Sequence, residues 1–375
     1  MTRKVVSFLG YTPPNRPYQP TTYVYDQMEH STPFMAEAAV HFFKPDRLLV
    51  LVTQEAKAQN FGDLCQNLEG VITPIPIDIP SGQHEQELGE IFAAIAGNIK
   101  PDDTIIFDIT NGFRSLPVLA FLATSFVRIV RGASVERMVY GAFDAKDKVH
   151  DRTPVFDLTP FLTLLDWTTR TDAFLKFGRA DFAALMTSSA SQVIQELAKT
   201  LDMLSSSLYM SRTQQAMEQA ATLQELIQET TTQLSTAAGT MPFTILLEQI
   251  KNEYAPLALA KPVSVQHRRA ALSTILRMIN WYREKKMLLH AATLATEWCT
   301  AVARYQDGQS LFCRFNERKR AIENKGPLSD LYQRAKEVRN DVAHCGMEPS
   351  FAEAKNVEEA VTNLCQELPN FLPDQ

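Results

Sequence analysis

The chain has 375 residues, with 43 Asp and Glu against 37 Lys and Arg and a formal net charge of -6. That length accommodates two or three domains, each with its own core, and the acidic balance excludes a surface built for general duplex-DNA binding. Hydrophobic residues at 45% and charged residues at 21% are proportions of an ordinary globular protein. The cysteines Cys65, Cys299, Cys313, Cys345 and Cys365 are scattered, odd in number and form no CxxC pair. This pattern suits reduced thiols and argues against a structural zinc site or a disulfide framework. The N-terminus enters a strand directly, without the apolar core of a signal peptide, and no run is long enough to span a bilayer. A cytoplasmic location is therefore expected, with no membrane partner.

In chain order, residues 4–9 read as a first strand that stops at Gly10. Thr32-Pro33 is expected to cap a helix running to Phe43, with proline in its first turn. Residues 47–53 form a second buried strand and 54–68 a second helix. A third strand at 71–79 is interrupted by Pro74 and Pro76, which places it near a sheet edge. A helix at 84–98 leads to a strand at 104–109 and a long apolar helix at 115–131. Residues 135–143 and 154–158 are expected to close the sheet as an antiparallel pair. Continuous apolar strands between helices imply a doubly wound, mostly parallel sheet.

The most informative stretch is 104–117, Thr-Ile-Ile-Phe-Asp-Ile-Thr-Asn-Gly-Phe-Arg-Ser-Leu-Pro. Its β-branched run breaks at Thr110-Asn111-Gly112, and Ser115 and Pro117 carry helix-start chemistry. The loop between lies at a strand's carboxyl end and a helix's amino end, where open α/β sheets bind ligands and phosphates are favoured. Arg114 adds a fork suited to phosphate. Asp108 is expected to hold the loop through backbone N–H groups.

After Thr159 the period changes. From 181 to 368 apolar residues recur at helical spacing and no alternating strand pattern appears. Polar-faced helices are expected over 186–238, two apolar helices over 264–305 with a break near Lys285-Lys286, and helices at 328–344 and 350–367. One hexamer carries chemistry: Arg339-Asn340-Asp341-Val342-Ala343-His344. Histidine transfers protons near neutral pH and arginine stabilises charge on a phosphorane, so the pair suffices for RNA cleavage without a metal. Residues five apart on a helix point about 140° from one another, so two copies about a two-fold axis align them better than one. Asn340 and His344 share a face. Of the other polar residues, His267-Arg268-Arg269 reads as a solvated face, while Arg314, Arg318, Lys319 and Arg320 are candidates for guiding an RNA backbone. Tyr18, Tyr23 and Tyr25 follow the first strand in a Pro-rich loop. They either stack on bases or pack over the sheet edge.

Together these features resemble the CRISPR-associated CARF–HEPN ribonucleases, ancillary effectors of type III systems. Asp108-Ile-Thr-Asn-Gly-Phe-Arg114 resembles the Asp-x-Thr-His-Gly-Phe-Arg element of one branch. Ser7-Phe8-Leu9-Gly10 matches its first strand and turn, and Arg339 through His344 fits the Arg-x4–6-His motif. The stretch from Tyr282 to Trp298, with Glu297, is similar to the preceding HEPN helices. The resemblance implies a Rossmann-like CARF domain at 1–165, a helical connecting region at 166–262 and an all-α HEPN domain at 263–375. It implies that Leu9, Gly10, Tyr11, Thr12, Thr110, Asn111, Gly112, Phe113 and Arg114 bind a cyclic oligoadenylate across a homodimer that can assemble further. Arg339, His344 and Asn340 would then cut single-stranded RNA with no metal or other cofactor. Asn111 stands where the branch has His and cannot titrate, which suits binding better than cleavage of the activator. A ligand-sensing transcription regulator, or a sensor that degrades its own cyclic nucleotide on a helical scaffold, would be the competing functions.

Overall fold

The N-terminal apolar run becomes strand β1 (Arg3–Leu9), whose residues after Arg3 are nearly all buried. A computed structural model of the chain describes residues 2–111, 116–179, 181–185, 191–234, 241–345, 347 and 352–374. It divides into two units, Met1–Leu162 and Thr163–Gln375.

The first unit is an eight-stranded sheet. After β1 come β2 (Thr21–Tyr25), β3 (Met28–Thr32), β4 (Arg47–Val52), β5 (Pro74–Asp78), β6 (Thr104–Asp108), β7 (Ser134–Gly141) and β8 (Arg152–Asp157), in the spatial order β3-β2-β8-β7-β6-β1-β4-β5. The pairs β1–β4, β1–β6, β4–β5, β6–β7 and β2–β8 are parallel, while β7–β8 and β2–β3 are antiparallel. Because β4 and β6 flank β1 on opposite sides, the chain reverses its winding direction at β1. The crevice beyond the carboxyl ends of β1 and β6 is thus the topological switch point. The pairing register sets Ser7 beside Asp108.

Helix α1 (Met35–Phe43) packs on one face with Val5, Leu48, Val50 and Ile106. On that side also runs a composite helix: α2 (Gln54–Ala56), a π-helical turn Lys57–Phe61 and α3 (Gly62–Asn67). Helices α4 (Glu85–Gly97) and α5 (Leu116–Arg131) cover the other face, where Val6, Phe8, Ile105 and Phe107 meet Ile91, Ile95 and Val127.

Two features depart from the sequence reading. The segment containing Tyr23 and Tyr25 is a strand of a hairpin rather than loop, and both rings are buried, with Tyr25 against Phe42 and Phe43. Packing, not base stacking, is their role. Thr32 ends β3 instead of capping a helix. It still pairs with Thr21, its hydroxyl accepts from the Phe34 N–H at 3.1 Å, and α1 begins only at Met35, beyond Pro33.

The second unit is helical throughout its described residues. Helix α6 (Thr159–Phe177) leads into it, followed by α7 (Gln192–Tyr209), α8 (Thr213–Leu234), α9 (Met241–Tyr254), α10 (Arg268–Glu284), α11 (Leu288–Gln306), α12 (Phe315–Ile322), α13 (Pro327–Ala343) and α14 (Ala354–Glu367). The break expected at Lys285-Lys286 falls between α10 and α11. Helix α12 was not anticipated. One core joins Trp167, Phe174 and Leu201 to Tyr254, Tyr282, Trp298, Leu331 and Leu364, so no break in packing marks residue 262. Its large polar aromatics are satisfied: Tyr254 donates to the Phe174 carbonyl (2.7 Å), Tyr282 to that of Leu208 (2.6 Å) and Trp298 to that of Leu272 (2.9 Å).

Candidate functional site

The strand-end crevice is organised around Asp108. This carboxylate is fully buried, and an unpaired charge there would cost several kcal/mol. Three donors offset that cost: the Ser7 hydroxyl to one oxygen at 2.6 Å, and the Thr110 hydroxyl and N–H to the other at 2.5 and 3.0 Å. Burial pushes the Asp108 pKa above the ordinary carboxylate range, and the hydrogen bonds only partly pull it back. Thr110 works in two directions, because its hydroxyl also accepts from the Gly141 N–H at 2.8 Å. The first turn after β6 is therefore fastened to β1 on one side and β7 on the other. Space is tight at Gly141, where an added Cβ would lie 2.9 Å from Tyr23 and 3.3 Å from Thr110.

The loop after β1 meets this turn. A Cβ on Gly10 would stand 3.4 Å from the Asn111 carbonyl oxygen and 3.0 Å from the Tyr18 hydroxyl, so both backbones approach closely there. The Gly10 N–H donates to the Tyr18 hydroxyl at 3.0 Å. Tyr18 packs edge-on against Phe34, and burial pushes its pKa up to about 12, which keeps the phenol neutral. Sequence reasoning missed Asn60, whose amide donates to the Gly10 carbonyl (2.9 Å) and accepts from the Thr12 hydroxyl (3.1 Å). Asn60 lies within the π-helical turn, a local irregularity that often marks functional sites. The only available signal was a polar residue in an otherwise helical run.

Of the residues expected to bind a ligand, Leu9 is buried at the end of β1, whereas Gly10, Thr12, Thr110 and Asn111 are half-exposed around the crevice and Tyr11 is exposed. Gly112, Phe113 and Arg114, like the helix cap expected at Ser115, lie outside the described residues. The helix leaving this loop is unusual. Helix α5 exposes Val118, Leu122, Phe126, Ile129 and Val130, with Ile129 85% accessible, while Ala120, Ala123 and Val127 are buried against the sheet. At about 100° per residue these five fall within a sector of about 120° that adjoins the buried face. Phe126 packs edge-on against Phe92 of α4, and the remaining exposed residues leave an apolar surface of the kind that marks an interaction site.

In the helical unit, Arg339 and Asn340 occupy the last turn of α13 and His344 is the residue that ends it, its N–H donating to the Asn340 carbonyl at 2.9 Å. Arg339 is half-buried, with Nε shielded from solvent and without a hydrogen-bond partner among the described residues, while His344 is exposed. No side-chain hydrogen bond joins Arg339, Asn340 and His344 within the described residues. Glu297 of α11 pairs with Arg318 of α12 at 2.7 Å, and Arg318 also holds the Cys313 carbonyl. The face expected to be solvated at 267–269 is instead a clamp. Arg268 donates to the Gly308 and Gln309 carbonyls over the Tyr305 ring, and Arg269 to that of Pro373. Among the described residues no group of three or more His, Cys, Asp or Glu is arranged to hold a metal ion, and no helix is long and apolar enough to cross a membrane.

Residues 4–144 match the family model described as CRISPR system endoribonuclease Csx1, CARF domain, and residues 163–257 match CRISPR-associated protein MJ1674, second domain. CRISPR-associated protein MJ1674 of Methanocaldococcus jannaschii is 23% identical over 140 residues, which are 37% of this chain and 22% of that protein's length. Among solved structures, Enterococcus italicus Csm6 bound to cyclic hexa-2'-fluoro-hexa-dAMP aligns over 99% of this chain and 93% of that one, at 13% identity and a TM-score of 0.40. The first family model covers the sheet from β1 to β7 with its two strand-end loops and stops before β8, and the second begins where the helical unit begins. These matches support a CRISPR-associated ancillary effector family that carries a CARF domain.

Proposed function

We propose that this chain is a homodimeric, cyclic oligoadenylate-gated ribonuclease of type III CRISPR defence that cuts single-stranded RNA without a metal. The observation that carries the reading is the junction of Gly10 and Asn111 at the switch point of a sheet matched by a CARF model. Two strand ends there present backbone and small polar side chains on a frame locked by Asp108, which suits the phosphates and ribose edges of a cyclic oligonucleotide. The exposed stripe of α5 supports a two-fold pairing that would bring a second copy of the loops to the same ligand. Asn111, which cannot titrate, supports recognition over cleavage of the activator.

In this reading the C-terminal helices are a HEPN domain. The substrate supplies its own nucleophile, the 2′-hydroxyl. His344 takes or returns the proton and Arg339 stabilises the charge that gathers on the phosphorane, each more effective with its copy across a two-fold axis. Activator binding shifts the dimer toward the arrangement that aligns these groups by binding that arrangement more tightly. The test is to incubate the protein with labelled single-stranded RNA, with and without cyclic oligoadenylates of several ring sizes, in EDTA. Cleavage should appear with one ring size, survive EDTA, and fall by about 10²–10⁴ in His344→Ala. Absence of cleavage with every ring size refutes the proposal.

A further inference from the structure

Three hollows of the helical unit adjoin along α7 and its turn into α8, sharing lining residues. One of about 340 Å³ shares Asp202, Ser206 and Met210 with a second of about 730 Å³. It shares Arg212 and Gln215 with a third of about 710 Å³, which has Leu294 and Leu311 in its wall and reaches the Glu297–Arg318 ion pair. Together they make a row of adjoining hollows, a groove along one side of α7 that takes in Lys199, Tyr209 and Arg212. At 1.5 Å per residue its helical portion alone is about 15 Å long, extended rather than globular.

The charges in this groove are unevenly committed. Lys199 and Arg212 are exposed and have no acidic partner among the described residues. Asp202 is turned inward, its two oxygens accepting from the Phe182 and Ala183 N–H groups at 2.6 and 2.7 Å. Glu297 is neutralised by Arg318. Asp181 and Glu218 remain, against the free cations Arg179, Lys199 and Arg212. The Arg179 guanidinium lies 4.5 Å over the Tyr209 ring, and that ring is 47% exposed. Spaced cations, an accessible aromatic backed by arginine, and serine and glutamine donors between them are what a flexible polyanion with flat bases requires.

We infer that this groove carries the single-stranded RNA substrate, with Lys199 and Arg212 on its phosphates and Tyr209 against a base. The inference rests on the ribonuclease reading above and gives residues 163–257 a substrate-holding role. It is tested by anisotropy of a fluorescein-labelled single-stranded oligoribonucleotide on full-length His344→Ala protein, with and without Lys199→Glu and Arg212→Glu. The double change should weaken RNA binding tenfold or more and flatten its salt dependence by one to two phosphate contacts, about 0.7 in log–log slope each. Activator affinity and thermal midpoint should stay unchanged, and Lys199→Arg with Arg212→Lys should restore binding. Should the Glu pair disturb folding, Lys199→Gln with Arg212→Gln gives the same comparison at smaller amplitude. RNA affinity and salt slope unaltered in a folded variant overturn the inference. Activator-dependent cleavage insensitive to the double change removes the groove and spares the ribonuclease. RNA held through Lys199 and Arg212 but never cut by protein with His344 intact leaves the groove and removes the ribonuclease.

Discussion

Thr110→Val isolates the fastening of the β6 turn. Valine matches threonine in shape and replaces the hydroxyl with a methyl. The change removes a hydrogen bond to the buried Asp108 carboxyl (2.5 Å), worth about 1.5–3 kcal/mol, and leaves the Gly141 N–H without its acceptor, a further cost of about 1–3 kcal/mol. Burying the new methyl returns about 0.8 kcal/mol. The net destabilisation is therefore about 2–5 kcal/mol, confined to the sheet unit. Urea titration read by hydrogen exchange resolves it, because peptides from β1 and β6 report one unit and peptides from α10 and α11 the other. A loss below about 1 kcal/mol in β1 and β6, or an equal loss in both units, would refute the account of Thr110 as a two-way fastener.

Two further outcomes are expected from the same geometry. Asp108 has a folded-state pKa above its ordinary value, so in the window between the two the folded chain holds a proton that the unfolded chain has released. Its contribution favours folding below the ordinary carboxylate value and is lost as pH rises through the folded pKa. Asp108→Asn keeps acceptors for Thr110 and removes this slope, which urea midpoints measured from pH 4 upward check; an undiminished slope excludes Asp108 as its source. Leu122→Glu with Ile129→Glu sets two charges on the α5 stripe of each copy; the proposed pairing predicts a dimer for the parent in sedimentation and a monomer for the variant. An unchanged mass would show that this stripe is not the pairing surface.

The central strands were legible because β1, β4 and β6 are continuous apolar runs that only burial on both faces explains. The β2–β3 hairpin was not legible. Four prolines between Pro13 and Pro20 suggest a loop, and Met-Glu-His-Ser-Thr is a polar edge strand with almost nothing to bury. At the site, Gly10, Thr110 and Asn111 were readable from their place after strands. Asp108 was expected to hold backbone donors and takes one, but the hydroxyl of Ser7 reaches it only through the parallel register of β1 and β6. Asn60 came from 50 residues beyond Gly10, a partnership that no local pattern encodes. The clamp roles of Arg268 and Arg269 were hidden for the same reason. A basic residue on a helix face looks alike in sequence whether it meets water or a distant carbonyl.

The π-helical turn at Lys57–Phe61 makes the length of its helix a fixed quantity. Such a turn is in effect one residue inserted into a regular helix, and each inserted residue rotates the N-terminal portion of the helix by about 100° relative to the C-terminal portion. A lineage that lost one residue here would keep a sound helix between β4 and β5 and a sound hydrophobic core. It would nevertheless swing the amide of Asn60 away from Gly10 and Thr12. The reach of Asn60 to Gly10 and Thr12 therefore depends on the residue count of this helix as well as on residue identity. A one-residue deletion in this helix would thus cost the crevice the contacts of Asn60 while leaving the sheet and its core in place.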